Sequence, residues 1–223
     1  MQVTRLPNDA KAGPTKPEVR AVLQRKLALG PDDHFVEIGS CTGAVTIESA
    51  RRAGRVTALE RKPERLETTR ENLAANGIVV KDGDADDDAD AVADGGSGTV
   101  VACETANERV GETAGVADVA LVNAEAPDGI PADGDVLFLG GSRNYEANLD
   151  AALDAGYDRI VMNVSRLEVA GEAARAFRDR DVLDEVLSLQ VNNGYDLAGA
   201  TSFDANNPVY MLVAEPGDGE GAA

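Results

Sequence analysis

The chain has 223 residues, 43% of them hydrophobic, which is enough for one domain with a substantial core. No apolar run approaches the roughly 18 residues of a membrane span, and no charged-then-apolar leader opens the chain, so we expect a cytoplasmic protein. The net charge of −19 disfavours nucleic acid as a partner and is typical of a surface adapted to molar salt, where the Debye length is only about 3 Å.

Metal and triad chemistry are also disfavoured by composition. The two cysteines, Cys41 and Cys103, have no CxxC neighbour, and His34 is the only histidine. We therefore predict neither a zinc site nor a Ser-His-Asp triad, and no metal in the site.

The first part of the chain predicts alternating helices and strands. Residues 13–29 are typical of a short extended segment followed by a helix, for which Thr15 and Glu18 have the spacing of a capping box. The next predicted elements are a strand at 34–40, a helix at 43–54, a strand at 55–60 and a helix at 62–77.

The second part continues this alternation after an acidic break. Residues 81–98 are rich in aspartate and glycine, so we expect a solvated loop there. The later predicted elements are strands at 99–104, 118–127, 135–141, 158–164, 183–192 and 207–215, with helices at 145–156 and 166–180. Such alternation predicts an α/β fold with a mostly parallel sheet, and the last two strands, joined only by a loop, predict an antiparallel hairpin at one edge.

The stretch "VEIGSCTGAVTIESA" resembles the start of a nucleotide site. Gly39 and Gly43 fit the first and fifth places of a G-x-G-x-G loop, but Cys41 occupies the middle place. The absence of a glycine at position 44 argues against the pyrophosphate of NAD. A plain strand-to-helix turn is the structural alternative for the two glycines, and Cys41 fits a small loop residue better than a nucleophile.

Carboxylates at two predicted strand ends favour S-adenosylmethionine, which has no phosphate and needs an acid for its ribose. Glu60 is that acid, and Glu37 is its companion on the first strand. A solvated strand end is the alternative for Glu60. "TALERKPERLETT" and "VACETANERVGET" both place Glu at a strand end, so Glu104 is a second candidate, by partial duplication or by chance.

Several stretches together resemble the CbiT-type decarboxylating precorrin methyltransferases, which act on (cobalt-)precorrin-6B in cobalamin biosynthesis. The stretches are "GPTKPEVR", "VEIGSCTGAVTIESA", "VTALERKPE", "NAEAP", "LFLGGS", "VMNVSRLE" and "NPVYML". They leave out about 79–116, which we interpret as an acidic insertion in a single domain over 1–215, followed by an acidic tail at 216–223. The resemblance implies a class I, Rossmann-like methyltransferase with a seven-stranded sheet.

The resemblance also implies the cofactor residues. The loop would be Gly39, Ser40, Cys41, Thr42 and Gly43, where the family usually has Gly-Cys-Gly-Thr-Gly. Glu60 would bind the ribose, and Thr15 would touch the cofactor from the N-terminal segment. The segment that meets the adenine would be Ala124, Glu125, Ala126 and Pro127, with Asp84 in "DGDAD" as a second candidate.

The substrate cleft should, by the same resemblance, lie near Gly140, Gly141, Ser142, Asn163 and Glu168. Asn163 and Glu168 are the first candidates for catalysis, although no general base is indicated. Arg143 and Arg166 follow two predicted strands at their carboxyl ends, so we expect them to bind tetrapyrrole carboxylates; the alternative is a pair of surface ion pairs.

The implied reaction transfers a methyl group from S-adenosylmethionine to C15 and removes CO2 from the C12 acetate. The resemblance implies a homo-oligomer, with a tetramer as one possibility, and a separate protein for C5 methylation. One rival is a methyltransferase for RNA or protein, disfavoured because only 4% of residues are aromatic and none is tryptophan. Another is a non-catalytic relative that binds S-adenosylmethionine, which the altered glycine loop favours.

Overall fold

The computed structural model describes residues 4–10, 13–78, 80, 100–101 and 117–216. Most of the predicted insertion, with Asp84, Cys103 and Glu104, lies outside these residues, as does most of the predicted tail. The helices are α1 (Pro17–Leu27), α2 (Ala44–Ser49), α3 (Pro63–Ala75), α4 (Tyr145–Ala155) and α5 (Leu167–Asp179). The strands are β1 (His34–Ile38), β2 (Arg55–Leu59), β3 (Val100–Val101), β4 (Asp118–Val122), β5 (Val136–Leu139), β6 (Arg159–Val164), β7 (Leu183–Leu189), β8 (Gly194–Leu197), β9 (Ala200–Phe203) and β10 (Val209–Ala214).

The main sheet has the order β3-β4-β2-β1-β5-β6-β10-β7. Strands β4, β2, β1, β5 and β6 run parallel, whereas β10 pairs antiparallel with both β6 and β7. The predicted class of a mostly parallel sheet with an antiparallel C-terminal hairpin is therefore confirmed. The two-residue β3, antiparallel to β4, adds an eighth strand to the seven expected.

Because the central strands carry apolar side chains on both faces, helices cover both faces of the sheet. Strand β5 is buried along its whole length, as strands in the middle of a parallel sheet are. One apolar cluster joins the sheet to α1, α2 and α3. The other joins it to α4 and α5, where Phe177 and Leu149 are fully buried. The two clusters fix the sheet between two helical layers.

The strand order reverses between β1 and β5. From β1 the chain builds outward through β2 and β4, and from β5 it builds the other way through β6. Loops that leave neighbouring strands in opposite directions open a crevice at the carboxyl ends of the strands. The fold therefore places its ligand site beyond the ends of β1 and β5.

Two local predictions were wrong. Thr15 does not cap α1: Lys16 is the N-cap residue without a side-chain cap bond, and Pro17 begins the helix. The extended backbone at Lys16 sets this start, and the Thr15 carbonyl instead accepts a hydrogen bond from Arg20. The Gly/Asn-rich loop between the last two long strands holds a separate hairpin, β8–β9, whose four-residue strands are too short to give a clear alternation.

Of the helices that the structure describes, none combines the length and the apolar character of a transmembrane segment.

Candidate active site

A cleft of about 920 Å³ opens at the reversal point of the sheet. Its walls come from the segment before α1, the β1–α2 turn, the start of α3, and the segments that follow β4, β5 and β6. Asn206, Asn207 and Val209 close one side from the stretch that leads into β10. The predicted functional segments that the structure describes therefore contribute to one cavity.

The turn after β1 forms the floor of the cleft. Gly39 and Gly43 have φ angles of +87° and +72°, values that favour glycine. The Gly39 N–H donates to the Leu59 carbonyl oxygen at 2.8 Å, and the Gly43 N–H donates to the Ser40 carbonyl oxygen at 2.8 Å. The turn is thus anchored to β2 at one end and closed on itself at the other.

Helix α3 holds this turn from behind. The Thr69 hydroxyl lies 3.0 Å from the Ser40 hydroxyl and 3.1 Å from the Cys41 carbonyl oxygen, to which it donates. The Asn72 amide donates to the Thr42 carbonyl oxygen at 2.9 Å. Both α3 side chains are fully buried, so they set the shape of the turn without reaching the ligand space themselves.

Cys41 occupies the middle place of the loop in a left-handed conformation, with a φ angle of +55°. This explains the glycine that the resembling family usually has at this place, because glycine adopts such an angle without cost. Burial raises the pKa of the Cys41 thiol, which keeps it protonated. Cys41 thus acts as a loop residue that lines the cleft.

Glu60 stands at the carboxyl end of β2 and is only 5% exposed. Its backbone N–H donates to the Val122 carbonyl oxygen at 3.0 Å, and its own carbonyl oxygen accepts from the Asn123 amide at 2.7 Å. Its Oε1 accepts from the Lys62 backbone N–H at 3.0 Å. Among the described residues Oε2 has no such donor, so the carboxylate is fixed and still has one oxygen for a ligand.

Glu37, on β1, faces the same cleft and is 2% exposed. The Thr46 hydroxyl of α2 donates to Glu37 Oε2 at 2.5 Å. Burial raises the pKa of Glu37 to about 7, against the lowering effect of the Thr46 hydrogen bond and with a further rise from the nearby charge of Glu60. Near neutral pH the carboxyl is therefore poised between its two forms.

Two asparagines reach the cleft with unused hydrogen-bonding atoms. Asn163 is on β6, directly after the last residue that pairs with β5, and Asn148 is on α4; both line the cleft. In the part of the chain that the structure describes, both amide atoms of Asn163 and Oδ1 of Asn148 are buried without a partner. Buried amides of this kind call for a partner, which a bound ligand or an ordered water can supply.

The rim of the cleft is basic. Five cationic residues line it, against the two carboxylates Glu37 and Glu60: they are Lys16, Arg61, Arg65, Arg143 and Arg166. Lys16 donates to the Val191 carbonyl oxygen at 3.2 Å. The guanidinium of Arg143 pairs with Glu125 at 3.2 Å, and both side chains are about half exposed. The cleft is thus locally positive on a protein whose net charge is −19.

Most of the predicted site residues meet in this cleft. Those that line it are Thr15, Glu37, Gly39, Ser40, Cys41, Thr42, Glu60, Ala126, Gly140, Gly141, Ser142, Arg143, Asn163 and Arg166. Gly43 does not line it, because it turns the chain against Thr69. Glu125 lies outside the lining, paired with Arg143, and Glu168 is exposed in the first turn of α5.

Sequence reasoning missed several residues of the site. Arg61 directly follows Glu60 and Arg65 lies five positions after it, so proximity to the predicted ribose acid was an available signal. Asn148 lies on α4 a few residues after the predicted GGS, where its burial at 1% exposure could not be foreseen. His34, by contrast, is not part of the site. It is buried at the other end of β1, where its Nε2 lies 2.8 Å from the Thr57 hydroxyl.

Comparison with known proteins gives the family. Residues 9–96 match the family model of the precorrin methyltransferase domain. A protein of Halobacterium salinarum, described as a probable cobalt-precorrin-6B C(15)-methyltransferase (decarboxylating), is 62% identical over 213 residues, which cover 96% of this chain and 94% of the relative. The chain belongs to the decarboxylating precorrin methyltransferase family.

Solved structures agree with this assignment. Precorrin-6Y C5,15-methyltransferase from Geobacter metallireducens superposes with a TM-score of 0.70 at 28% identity, covering 94% of each chain. Precorrin 8W decarboxylase from Methanobacterium thermoautotrophicum gives a TM-score of 0.68 at 28% identity, covering 92% of each chain. The class I methyltransferase fold of this precorrin methyltransferase family member is thereby established.

The cleft fits the methyl donor of such enzymes, S-adenosylmethionine. The donor needs close backbone approach at a turn, an oxygen acceptor for its ribose and space for its methionine portion. Gly39 leaves that space, because a Cβ there would meet nothing nearer than 4.0 Å. Glu60 provides the acceptor with its remaining oxygen.

Proposed function

We propose that this protein transfers a methyl group from S-adenosylmethionine to C15 of cobalt-precorrin-6B and releases CO2 from the C12 acetate, as a step of cobalamin biosynthesis in the cytoplasm. The observation that carries this proposal is the charge pattern of the cleft. A basic rim on a strongly acidic protein suits a substrate with several carboxylates, and the buried acids of the floor suit a cationic donor.

The donor is assigned to the floor of the cleft. Its residues would be Thr15, Glu37, Gly39, Ser40, Cys41, Thr42, Gly43 and Glu60, with Glu125 and Ala126 at the adenine end. Gly43 acts here by shaping the turn, since it does not line the cleft itself. The Glu60 carboxylate accepts the ribose hydroxyl hydrogens, and the backbone of the turn lies against the methionine portion.

The substrate is assigned to the side of the cleft beyond β5 and β6. Gly141 and Ser142 leave room for the macrocycle edge, while Arg143 and Arg166 bind peripheral carboxylates. When bound, S-adenosylmethionine supplies an electrophilic methyl group. The chain's own contribution is to align the acceptor carbon with that group, which can lower the barrier by several kcal/mol.

Asn163 is the residue that we assign closest to the chemistry. Its two buried, unpartnered amide atoms offer one donor and one acceptor to the macrocycle, and both Asn163 and Gly140 line the cleft. Glu168, in the first turn of α5 beside Arg166, is assigned to the outer edge of the substrate, where it could take part only after a rearrangement of its exposed side chain. Neither residue is assigned as a general base.

We also propose a homo-oligomer, with a tetramer as one possible form, and a separate protein for C5 methylation. The small hairpin β8–β9 supports association, because Tyr195, Leu197 and Phe203 are 46%, 57% and 64% exposed there. Such apolar exposure favours burial against another chain. Light scattering after size exclusion in molar KCl tests this, with Leu197→Asp and Phe203→Asp expected to give monomers.

The function is tested by incubating the purified protein with S-adenosylmethionine and cobalt-precorrin-6B in molar KCl. The expected result is CO2 release together with a product heavier by a methyl group and lighter by CO2. Arg175→Ala, an exposed change on α5 away from the cleft, is the matched control and should keep full activity. Methyl transfer to RNA or to protein, without CO2 release, would instead identify the rival substrate class.

A further inference from the structure

Glu37 and Glu60 form a pair of buried carboxyl groups on neighbouring strands. The register of β1 and β2 pairs Ile38 with Leu59, so the two acids flank this row at the same edge of the sheet. They are 2% and 5% exposed and line the same cleft. Two acids so placed lack the water that would normally stabilise their charges.

The hydrogen bonds of the pair do not neutralise it. Glu37 accepts from the Thr46 hydroxyl, and Glu60 accepts from the Lys62 backbone N–H. In the described ranges no lysine, arginine or histidine forms an ion pair with either acid. Buried charges are normally paired, so one carboxyl of the free protein is best accommodated with its proton on.

The groups on the surrounding elements indicate that Glu37 is the acid that keeps its proton. Of the cations that line the cleft, Arg61 and Arg65 follow Glu60 in the sequence, Lys16 precedes α1, and Arg143 and Arg166 follow β5 and β6. Thr46 on α2 and Phe138 on β5 are the uncharged neighbours of Glu37. Burial and the adjacent Glu60 raise the pKa of Glu37 to about 7, whereas the thiol of Cys41 stays protonated.

We propose that Glu37 responds to the positive charge of the methyl donor: its carboxyl group is protonated in the free cleft and releases the proton to solvent when the sulfonium ligand binds. The proposal rests on the assignment of S-adenosylmethionine to this cleft. Methyl transfer turns the sulfonium into the neutral thioether of S-adenosylhomocysteine, which keeps the α-ammonium and the α-carboxylate and loses only the sulfonium charge. The carboxylate is then left without its partner and takes up a proton again.

The consequence is selectivity for the donor over its own product. S-adenosylmethionine and S-adenosylhomocysteine share every group except the methyl and its charge, so hydrogen bonds from the turn or from Glu60 cannot separate them. A Glu37 carboxylate that forms only when the sulfonium cation is bound stabilises the donor and not the product, so it can discriminate between the two ligands. Glu37 is therefore assigned as a specificity-determining residue whose protonation favours product release.

Titration calorimetry in two buffers of different ionisation enthalpy tests the proposal, because the difference in heat counts the protons released. At pH 6 the α-amino groups of both ligands, with pKa values of about 8, remain protonated and do not contribute. Binding of S-adenosylmethionine should release about one proton, and binding of S-adenosylhomocysteine should release clearly less. Glu37→Gln should abolish the release and weaken the donor about tenfold, with less effect on the product.

Each outcome decides one proposal. Equal proton release with both ligands, or full release in Glu37→Gln, overturns the role of Glu37 while leaving the cofactor assignment intact. Absence of binding heat with both ligands overturns the assignment of the cofactor instead. Should Glu37→Gln fail to fold, the comparison of the two ligands on the unmodified protein still decides the matter. Glu71→Gln, an exposed change on α3, is the matched control and should keep the wild-type proton count.

Discussion

Arg143 donates to Glu125 across 3.2 Å at the rim of the cleft, which joins a residue assigned to the substrate with one assigned to the adenine end of the donor. Asn144 extends the contact, since its amide lies 3.5 Å from the same carboxylate oxygen. The pair is half exposed, so it contributes at most about 1 kcal/mol to folding. A carboxylate of the substrate can therefore compete with Glu125 for the Arg143 guanidinium, and the adenine end of the donor can compete with Arg143 for Glu125.

Removal of one member should therefore act on the ligands and hardly on stability. Arg143→Ala should weaken tetrapyrrole binding by about tenfold, because a charge-assisted hydrogen bond to a carboxylate is lost. Glu125→Ala should leave tetrapyrrole binding equal or tighter, since it frees the guanidinium. Absorbance titration with cobalt-precorrin-6B measures both variants, and Arg175→Ala is the control. Tetrapyrrole affinity that is unchanged in both Arg143→Ala and Arg166→Ala would refute the carboxylate-binding role of the two arginines.

Glu60→Gln should reduce S-adenosylmethionine affinity by about 10- to 100-fold, because the ribose hydroxyls lose a charged acceptor and gain a competing donor. The change keeps the side-chain volume and leaves an oxygen for the Lys62 N–H, so the melting temperature should change little. Calorimetry with S-adenosylmethionine measures the loss, and Glu71→Gln is again the control. An affinity within twofold of wild type would show that another acid, such as Glu104, serves the ribose.

The carboxyl-edge residues could be predicted because the fold itself brings them together. Parallel strands end at one edge, so "VEIGS", "TALE", "LFLGGS" and "VMNVS" had to converge once each was recognised as a strand followed by a turn. The mostly parallel character of the sheet follows from the same alternation, whereas the strand order does not. The general position of the site was thus contained in short local patterns.

Side-chain direction was less accessible to sequence reasoning. Thr69 and Asn72 lie on a helix whose sequence reads as charged and exposed, yet both are fully buried against the turn after β1. The ion pair of Arg143 with Glu125 depends on the path of two loops. In the described part of the chain, β8 and β9 pair only with each other and do not join the main sheet. No periodic apolar pattern in the sequence therefore predicted this hairpin.

Gly43→Ala should destabilise the protein by about 1–3 kcal/mol and abolish cofactor binding. A Cβ at this position would lie 2.9 Å from Thr69 Cγ2 and 3.4 Å from the Thr69 backbone, at a φ angle of +72° that alanine disfavours. Urea unfolding and calorimetry with S-adenosylmethionine measure the two effects. Gly171→Ala on α5 is the matched control: nothing lies within 4 Å of its Cβ, so helix propensity should make it slightly stabilising. Equal stability of the two variants would contradict the tight contact with Thr69.

Glu37 should also make the stability of the ligand-free protein depend on pH. Its pKa is raised to about 7 in the folded state from an ordinary value of 4.5, so the folded state keeps the proton up to a higher pH than the unfolded chain does. The contribution is fully present below pH 4.5 and is lost as the pH rises towards 7, with a total on the order of 3 kcal/mol. Glu37→Gln carries no such proton. Its unfolding free energy relative to wild type should therefore rise between pH 5 and pH 8 and make the variant the more stable protein at pH 8. Urea denaturation in molar KCl at intervals of one pH unit measures this difference, with Glu71→Gln expected to track wild type throughout. A difference between Glu37→Gln and wild type that stays constant with pH would mean that Glu37 is ionised in the folded protein over the whole range.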